Sequence, residues 1–301
     1  TGSDFDDHVT GDGGANLIQT GDGNDTLIGG VGSDDLRGGD GVDTADYSAS
    51  GTGVQVSLDT GLGTGGHAQG DSLSDIENLV GSANQDNLAG NAQANRLDGG
   101  AGSDTLSGAA GDDTLLGGDD DDHLIGGAGA DHLDGGAGTD RIDYSSSSAG
   151  VTIDLANNTG SGGDAEGDTF ANIENITGSS HADTLTGSGG ANLLDGGAGG
   201  DTLRGGAGDD TLQGGAGADL LEGGAGADTL EGGTGVDTAS YAGSSAAVDV
   251  SLQSGNGVGG DAEADTLTDI ENLVGSDHDD TLSGNIFANR LEGGDGNDSL
   301  I

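Results

Sequence analysis

The sequence predicts an all-β fold, a parallel β-solenoid in which two nonapeptides, about 18 residues, make each coil. A nonapeptide of the form Gly-Gly-x-Gly-x-Asp-x-Leu-x recurs in phase along the chain. Glycine accounts for 69 of 301 residues, which excludes long helices because each interior glycine costs roughly 1 kcal/mol relative to alanine. Proline is absent, as expected when every stacked strand donates hydrogen bonds to its neighbours.

The stretch "GGAGADHLDGG", residues 126–136, shows how the repeat becomes a coil. Its glycines permit turns with positive φ angles, while Asp-His-Leu-Asp predicts a strand too short to be stable alone. Two successive nonapeptides therefore form opposite sides of a flattened coil, and parallel strands stack about 4.8 Å apart. The eighth-position leucines point inward in two facing columns, as at Leu106, Leu115, Leu124 and Leu133.

Three longer interruptions separate the repeat blocks and can be aligned with one another. Each begins beside one of the three tyrosines, Tyr47, Tyr144 and Tyr241, which recur every 97 residues. The alternating segments "VQVSL", "VTIDL" and "VDVSL" each predict a strand, and we expect the tyrosines to pack in the core. The predicted organisation is one continuous rod, with repeat blocks at 1–43, 80–140, 177–237 and 274–301 and interruptions at 44–79, 141–176 and 238–273.

The charge of the chain limits its partners and requires a cation in the fold. There are 55 acidic and 5 basic residues, a formal net charge of -50, so nucleic acid and anionic membrane surfaces are poor partners and we expect neither to bind. Stacked coils place aspartates in register about every 4.8 Å, which is repulsive unless a cation lies between them. We therefore expect the chain to be disordered without a metal ion.

Calcium is the ion that these residues favour. Carboxylate and carbonyl oxygens at glycine-rich turns are hard ligands, and the chain has no cysteine, so calcium is favoured over zinc and copper. Magnesium demands tighter geometry and keeps more of its water.

No apolar run approaches the roughly 18 residues that a membrane-spanning helix needs.

The repeat resembles the RTX nonapeptide of calcium-binding bacterial proteins exported by type I secretion. The resemblance implies a right-handed parallel β-roll in which aspartates and turn carbonyls of repeats one coil apart share each of several calcium ions. It makes the sixth-position aspartates and four turn glycines the expected ligands. These are Asp25, Asp34, Asp43, Asp104, Asp113, Asp122, Asp131, Asp140, Asp201, Asp210, Asp219, Asp228, Asp237 and Asp298, with the carbonyls of Gly100, Gly102, Gly127 and Gly129.

Four turns depart from this pattern because asparagine replaces the charged ligand. They carry Asn16, Asn95, Asn192 and Asn289. Loss of the charge weakens an oxygen site for calcium. We expect calcium to bind less tightly at these turns than at those with aspartate.

Two interruptions carry an acidic, glycine-rich loop with two open interpretations. "GGDAEGD" contributes Asp164, Glu166 and Asp168, and "GGDAEAD" contributes Asp261, Glu263 and Asp265. Three acids within five residues approach the density of a dedicated cation loop. A solvated acidic loop is an equal alternative, and the first interruption reads "GGHAQGD" and keeps only an aspartate, at position 71.

Two functions remain for the chain, and neither is enzymatic. The first is a calcium-dependent extracellular structural array: a segment of a secreted filament, surface layer or adhesin stalk. The second is the secretion and folding module of a larger exported enzyme, such as an epimerase, protease or lipase. Residues 1–28 align without gaps on residues 274–301, which favours the array and end-to-end contact with neighbouring repeats or with further copies of the chain.

Overall fold

The computed structural model describes residues 1–301, and almost all of its regular structure is short β-strand. The strands of residues 1–143 are β1 (His8–Thr10), β2 (Leu17–Asp22), β3 (Thr26–Ile28), β4 (Asp35–Asp40), β5 (Thr44–Asp46), β6 (Gln55–Ser57), β7 (Leu62–Thr64), β8 (Ser72–Ser74), β9 (Asn78–Val80), β10 (Asn87–Ala89), β11 (Arg96–Ala101), β12 (Thr105–Ala110), β13 (Thr114–Asp119), β14 (His123–Ala128), β15 (His132–Ala137) and β16 (Arg141–Asp143).

The remaining strands follow the same alternation of strand and turn. They are β17 (Thr152–Asp154), β18 (Thr159–Ser161), β19 (Thr169–Ala171), β20 (Asn175–Thr177), β21 (Thr184–Thr186), β22 (Leu193–Asp195), β23 (Ala198–Gly199), β24 (Thr202–Ala207), β25 (Thr211–Gly217), β26 (Leu220–Ala225), β27 (Thr229–Gly235), β28 (Thr238–Ser240), β29 (Asp249–Ser251), β30 (Asn256–Val258), β31 (Thr266–Thr268), β32 (Asn272–Val274), β33 (Thr281–Ser283), β34 (Arg290–Glu292) and β35 (Ser299–Leu300). Three 3-10 helices lie at Gly66–Ala68, Gly163–Ala165 and Gly260–Ala262.

The chain divides into two compact units. The first contains Thr1–Asp143 and Ala165–Ile173, and the second contains Tyr144–Asp164 and Glu174–Ile301. The sequence predicted blocks and interruptions within one continuous rod, and this organisation stays a prediction.

In the first unit, strands stack in two columns, one on each side of the coil. One column runs β1, β3, β5, β9, β11, β13, β15 and β19, with every pair parallel. The other runs β2, β4, β8, β7, β6, β10, β12, β14 and β16. Strand β7 is antiparallel to both neighbours, so the first interruption adds a hairpin turn of chain to an otherwise parallel column.

The second unit repeats this construction. One column contains β18, β17, β21, β24, β26, β28, β32 and β34, of which only the β17–β18 pair is antiparallel. The other begins at β20 and β22, passes β25 and β27, and then includes β31, β30, β29, β33 and β35. Strand β30 has the same antiparallel position as β7, so the two interruptions share one local design.

The coil of two nonapeptides and the inward leucine column are both confirmed. Leu97, Leu115 and Leu133 are register partners in the first unit, and all three are fully buried. The interruptions preserve this column, because Ala45 pairs with Leu79 after an excursion of the chain. The segments predicted as interruption strands are also strands, namely β6, β17 and β29.

Many of the strands in the repeat blocks are longer than the sequence predicts, because they continue into the glycines. Strand β12 includes both Gly108 and Ala109 after its leucine, and Gly100 pairs in register with Gly118. A side chain on Gly118 would collide with the carbonyl oxygen of Gly100, so the missing Cβ atom lets the backbones approach. The turn proper is therefore confined to the fourth, fifth and sixth positions.

Candidate metal centre

The sixth-position aspartates form hydrogen-bonded columns along the stack. The Oδ1 atom of each accepts the backbone N–H of the residue in the same position one coil earlier. Asp104 N–H donates to Asp122 at 2.7 Å, and Asp201 N–H donates to Asp219 at 2.8 Å, each across 18 residues. One carboxylate oxygen of each residue is thus used by the backbone, which fixes the orientation of the other.

The second oxygen, Oδ2, is buried without a hydrogen-bond partner in eleven of the turns that keep the sixth-position aspartate. This holds at Asp25, Asp34, Asp43, Asp104, Asp113, Asp122, Asp201, Asp210, Asp219, Asp228 and Asp237. An unpaired buried oxygen costs the full desolvation of that group, and more when it is charged. A column of such atoms is therefore unfavourable without a further ligand.

Burial also shifts the titration of these carboxyl groups. It raises the pKa of Asp104, Asp113 and Asp122 to about 7, against a smaller lowering by the backbone N–H that each accepts. The pKa of Asp201 is raised to about 7 and that of Asp210 to about 6 for the same reason. In a metal-free fold, the charged form is disfavoured where the column is most buried.

The first glycine of the repeat leaves the space in which Oδ2 meets a carbonyl oxygen. A Cβ atom on Gly196 would lie 2.7 Å from Asp201 Oδ2 and 2.8 Å from the carbonyl oxygen of Gly214. The space at Gly214 is similar, with Asp219 Oδ2 and the carbonyl oxygen of Gly232 both at 2.7 Å. Any side chain at the first position would fill the space between carboxylate and carbonyl. Calcium, which takes carboxylate and carbonyl oxygens, fits this set of donors.

The glycines expected as carbonyl ligands lie at the positions of the turn with positive φ. Gly100 and Gly102 have φ of 105° and 103°, and Gly127 and Gly129 have 98° and 153°. They form the second and fourth positions, whereas the carbonyls next to Oδ2 belong to the first position. Sequence reasoning missed these first-position carbonyls because a glycine in a sequence does not reveal the direction of its backbone oxygen.

The interruptions supply aspartate and glutamate from distant positions to continue the columns. Asp71 Oδ1 accepts Asp34 N–H at 2.8 Å, and Asp168 Oδ1 accepts Asp131 N–H at 2.8 Å. Glu77 Oε2 accepts Asp43 N–H at 2.8 Å, across 34 residues. The sequence reading did not single out this glutamate, although the "IEN" triplet recurs in all three interruptions.

The acidic interruption loops are not gathered into one site. Asp265 is buried and takes a place in a column, where its Oδ1 accepts Asp228 N–H. Glu263 is exposed and its carboxylate accepts Gly259 N–H at 2.8 Å, while Asp261 is partly exposed. In the other loop, Asp168 is buried and Glu166 is exposed. No group of three or more His, Asp or Glu side chains converges in a way that could hold a metal ion.

The last of the aspartates predicted as ligands, Asp298, also lies in a column. Asp298 Oδ1 accepts Asp280 N–H at 3.0 Å, so it belongs to a column, but it is only partly buried.

No helix in the structure has the length and apolar character needed to cross a membrane.

Comparison with known families gives one match that covers more than half of the chain. The family is described as "RTX calcium-binding nonapeptide repeat (4 copies)". It matches residues 1–36, 10–45, 80–115, 116–146, 169–203, 177–212, 204–239 and 274–301. A comparison of the sequence with curated proteins gave no significant match.

The matched residues contain the sixth-position aspartates of the repeat blocks, and the unmatched stretches 46–79, 147–168 and 240–273 fall in the interruptions. Proteins with these repeats bind calcium at multiple sites, form β-rolls and are typically secreted. The repeat chemistry, the orphaned carboxylate oxygens and the family match agree, and the chain belongs to the family of RTX calcium-binding nonapeptide repeat proteins.

Proposed function

We propose that this chain is a calcium-dependent structural array, a segment of a secreted filament, surface layer or adhesin stalk that becomes rigid after export. The observation that carries the proposal is the Oδ2 atom of the sixth-position aspartates, which is buried without a hydrogen-bond partner in many successive turns. Each ion would be held by a sixth-position aspartate and by the first-position carbonyl one coil further on, with the second- and fourth-position carbonyls as further ligands. Submicromolar calcium in a cell would leave weak sites empty, and millimolar calcium outside would fill them.

The array interpretation is supported by the uniformity of the coils. Register pairs link most repeat strands to the strand two nonapeptides further on, and the same interruption geometry occurs in both units. Exposed apolar side chains, among them Val236 and Val258, are available for contacts with further copies of the chain.

The alternative is a folding and secretion module of a larger enzyme. Under either interpretation, the segment itself is proposed to have no catalytic activity. A catalytic domain in the same polypeptide would favour the alternative. Both interpretations require calcium to fold the blocks, so the first experiment addresses calcium and the second addresses assembly.

Removal of calcium should unfold the repeat blocks. Chelator is expected to decrease the strand signal in far-UV circular dichroism, and millimolar calcium is expected to restore it, because the ion neutralises the buried columns. Magnesium at the same concentration is the control and should restore less, since it demands tighter geometry. A strand signal unchanged by exhaustive chelation would contradict the proposal.

Assembly should depend on calcium and on protein concentration. Sedimentation velocity of the chain in calcium is expected to show species larger than one chain as concentration rises, because uniform coils and exposed apolar side chains such as Val236 and Val258 favour pairing of copies. The chelated chain is the control. A single species of one chain's mass at every concentration in calcium would rule out end-to-end association of copies.

Asp122→Asn should weaken calcium binding locally. Asparagine keeps the Oδ1 atom that accepts Asp104 N–H but replaces the charged Oδ2, so the stability of the calcium-bound form should fall by about 1–3 kcal/mol. Asp121→Asn is the matched control, since it removes the same charge from an exposed neighbour that accepts Thr139 N–H. Calcium titration calorimetry and denaturation in calcium measure both effects. Equal losses in the two variants would show that net charge, and not the buried ligand, is responsible.

Acid should oppose calcium and favour the metal-free fold. Because burial raises the pKa of Asp104 and Asp113 to about 7, the folded chain binds more protons than the unfolded chain between the ordinary aspartate pKa and about 7. The contribution to metal-free stability is therefore present at low pH and lost as pH rises through about 7. Calcium affinity should change in the opposite direction, falling as protons compete for the carboxylates. Calorimetry and circular dichroism below and above pH 7 test both signs, and a pH-independent affinity would contradict the assignment.

A further inference from the structure

Partnerless carboxylate oxygens are confined to the repeat blocks. None occurs in residues 47–95 or in residues 241–289, which we call the bridging segments. Each bridging segment begins at a tyrosine and ends at the asparagine of the second turn after the interruption. Each also contains two buried aspartates, Asp71 and Asp86 in the first and Asp265 and Asp280 in the second. These four carboxylates are satisfied by the chain itself.

A tyrosine hydroxyl completes the first buried carboxylate of each bridging segment. Tyr47 donates to Asp71 Oδ2 at 3.2 Å, and Tyr241 donates to Asp265 Oδ2 at 3.0 Å. The Oδ1 atom of the same aspartate accepts a backbone N–H, as in the repeat blocks. Both tyrosines are almost fully buried. The tyrosine hydroxyl thus donates to Oδ2, the carboxylate oxygen that has no hydrogen-bond partner in a regular turn.

A serine completes the second buried carboxylate. Ser276 donates its N–H to Asp280 Oδ2 at 2.5 Å and its hydroxyl to Asp280 Oδ1 at 2.8 Å. Ser82 makes the same two contacts with Asp86. Serine occupies the second position of the turn, where regular repeats have glycine. Each of these carboxylates accepts hydrogen bonds from donors within its own turn.

The asparagine at the end of each bridging segment is also self-sufficient. Asn95 Oδ1 accepts Asn91 N–H at 2.7 Å, and its Nδ2 donates to the carbonyl oxygen of Glu77 at 2.9 Å. Asn289 makes the equivalent contacts, with Asn285 N–H at 2.7 Å and the carbonyl oxygen of Glu271 at 2.8 Å. The neutral amide of asparagine has its own donor, Nδ2, so this position does not need the cation that a carboxylate would need.

The bridging segments also contain apolar residues in addition to the column leucines. In the first, the buried apolar side chains are Tyr47, Val54, Val56, Ala68, Leu73, Ile76, Leu79 and Leu88. The second has an equivalent set that includes Tyr241, Val248, Val250 and Ile270. Burial of apolar surface stabilises a fold at any calcium concentration. The segments therefore combine a core with a complete set of polar contacts.

We propose that the bridging segments keep their fold without calcium, that Tyr47 and Tyr241 are the residues that take the place of the ion, and that the calcium-bound coils of the blocks form on these folded segments. The proposal rests on calcium binding in the blocks as its first premise. The proposal divides the chain into two kinds of coil. In the blocks, a calcium ion satisfies the Oδ2 atom of aspartate. In the bridging segments, a tyrosine hydroxyl, a serine or the amide of an asparagine takes the place of the ion.

Hydrogen–deuterium exchange with peptide-level mass spectrometry on the full chain distinguishes the two kinds of coil. In chelator, peptides from 47–95 and 241–289 are expected to stay protected while peptides from 99–143 and 196–240 exchange freely. Addition of calcium should then protect the blocks. Equal, rapid exchange of both kinds in chelator would overturn this inference alone. Protection of the blocks in chelator would instead overturn the requirement for calcium on which it rests.

Tyr241→Phe tests the hydroxyl itself. It leaves the ring and removes the donor to Asp265, so in chelator the amides of 241–289 are expected to exchange roughly tenfold faster or more. The double variant Tyr241→Phe with Asp265→Asn removes the orphaned charge and should restore protection, which a role of the tyrosine in packing alone would not. Asp261→Asn, at a partly exposed acid of the same loop, is the control and should exchange like the unaltered chain. Unchanged exchange in Tyr241→Phe, or no recovery in the double variant, would refute the assigned role.

An optical measurement gives an independent test. The chain has three tyrosines and no tryptophan, and all three tyrosines lie at equivalent interruption positions. The tyrosine band of the near-UV circular dichroism spectrum therefore reports on the interruptions, whereas far-UV circular dichroism reports on all strands. During a calcium titration from chelator, the tyrosine signal should already be present before the far-UV signal rises. Coincident transitions of the two signals would overturn the proposal.

Discussion

The fold depends on a carboxylate that the backbone holds by one oxygen only. The N–H of each sixth-position aspartate donates a hydrogen bond to Oδ1 of the aspartate one coil further on. This bond fixes the side chain and directs Oδ2 into the interior of the turn. The aspartate side chain cannot turn away without breaking this hydrogen bond. Whatever occupies the space beside Oδ2 therefore decides whether a coil is stable, and the glycine at the first position keeps that space open.

Most of the regular architecture could be predicted from the sequence because it is periodic. The spacing of one nonapeptide sets the positions of Leu115 and Asp122, and two nonapeptides per coil follow from the need to bury both leucine columns. Oxygen ligands in glycine-rich turns likewise indicate calcium. These arguments involve residues separated by one coil at most, and a repeated pattern makes each of them visible many times.

The interruptions could be predicted only in part, because their contacts link residues that no period relates. The tyrosine was expected in the core and lies there, but its hydrogen bond to an aspartate 24 residues later depends on the path of the intervening hairpin. Glu77 reaches Asp43 across 34 residues. The density of acids in "GGDAEAD" left a local cation site and a solvated loop equally open, whereas folding assigns Asp265 to a column and leaves Glu263 on the surface.

The return of the chain to register after each interruption has a consequence for how such genes can change. Thr44 pairs with Asn78 and Thr238 pairs with Asn272, so each excursion of the chain ends opposite the strand it left. A coil entering an interruption and a coil leaving it therefore present the same edge. Recombination between copies of the long repeat would insert or delete a whole unit without leaving any strand unmatched. The number of coils can then change in steps of one long repeat while every remaining coil keeps its neighbours.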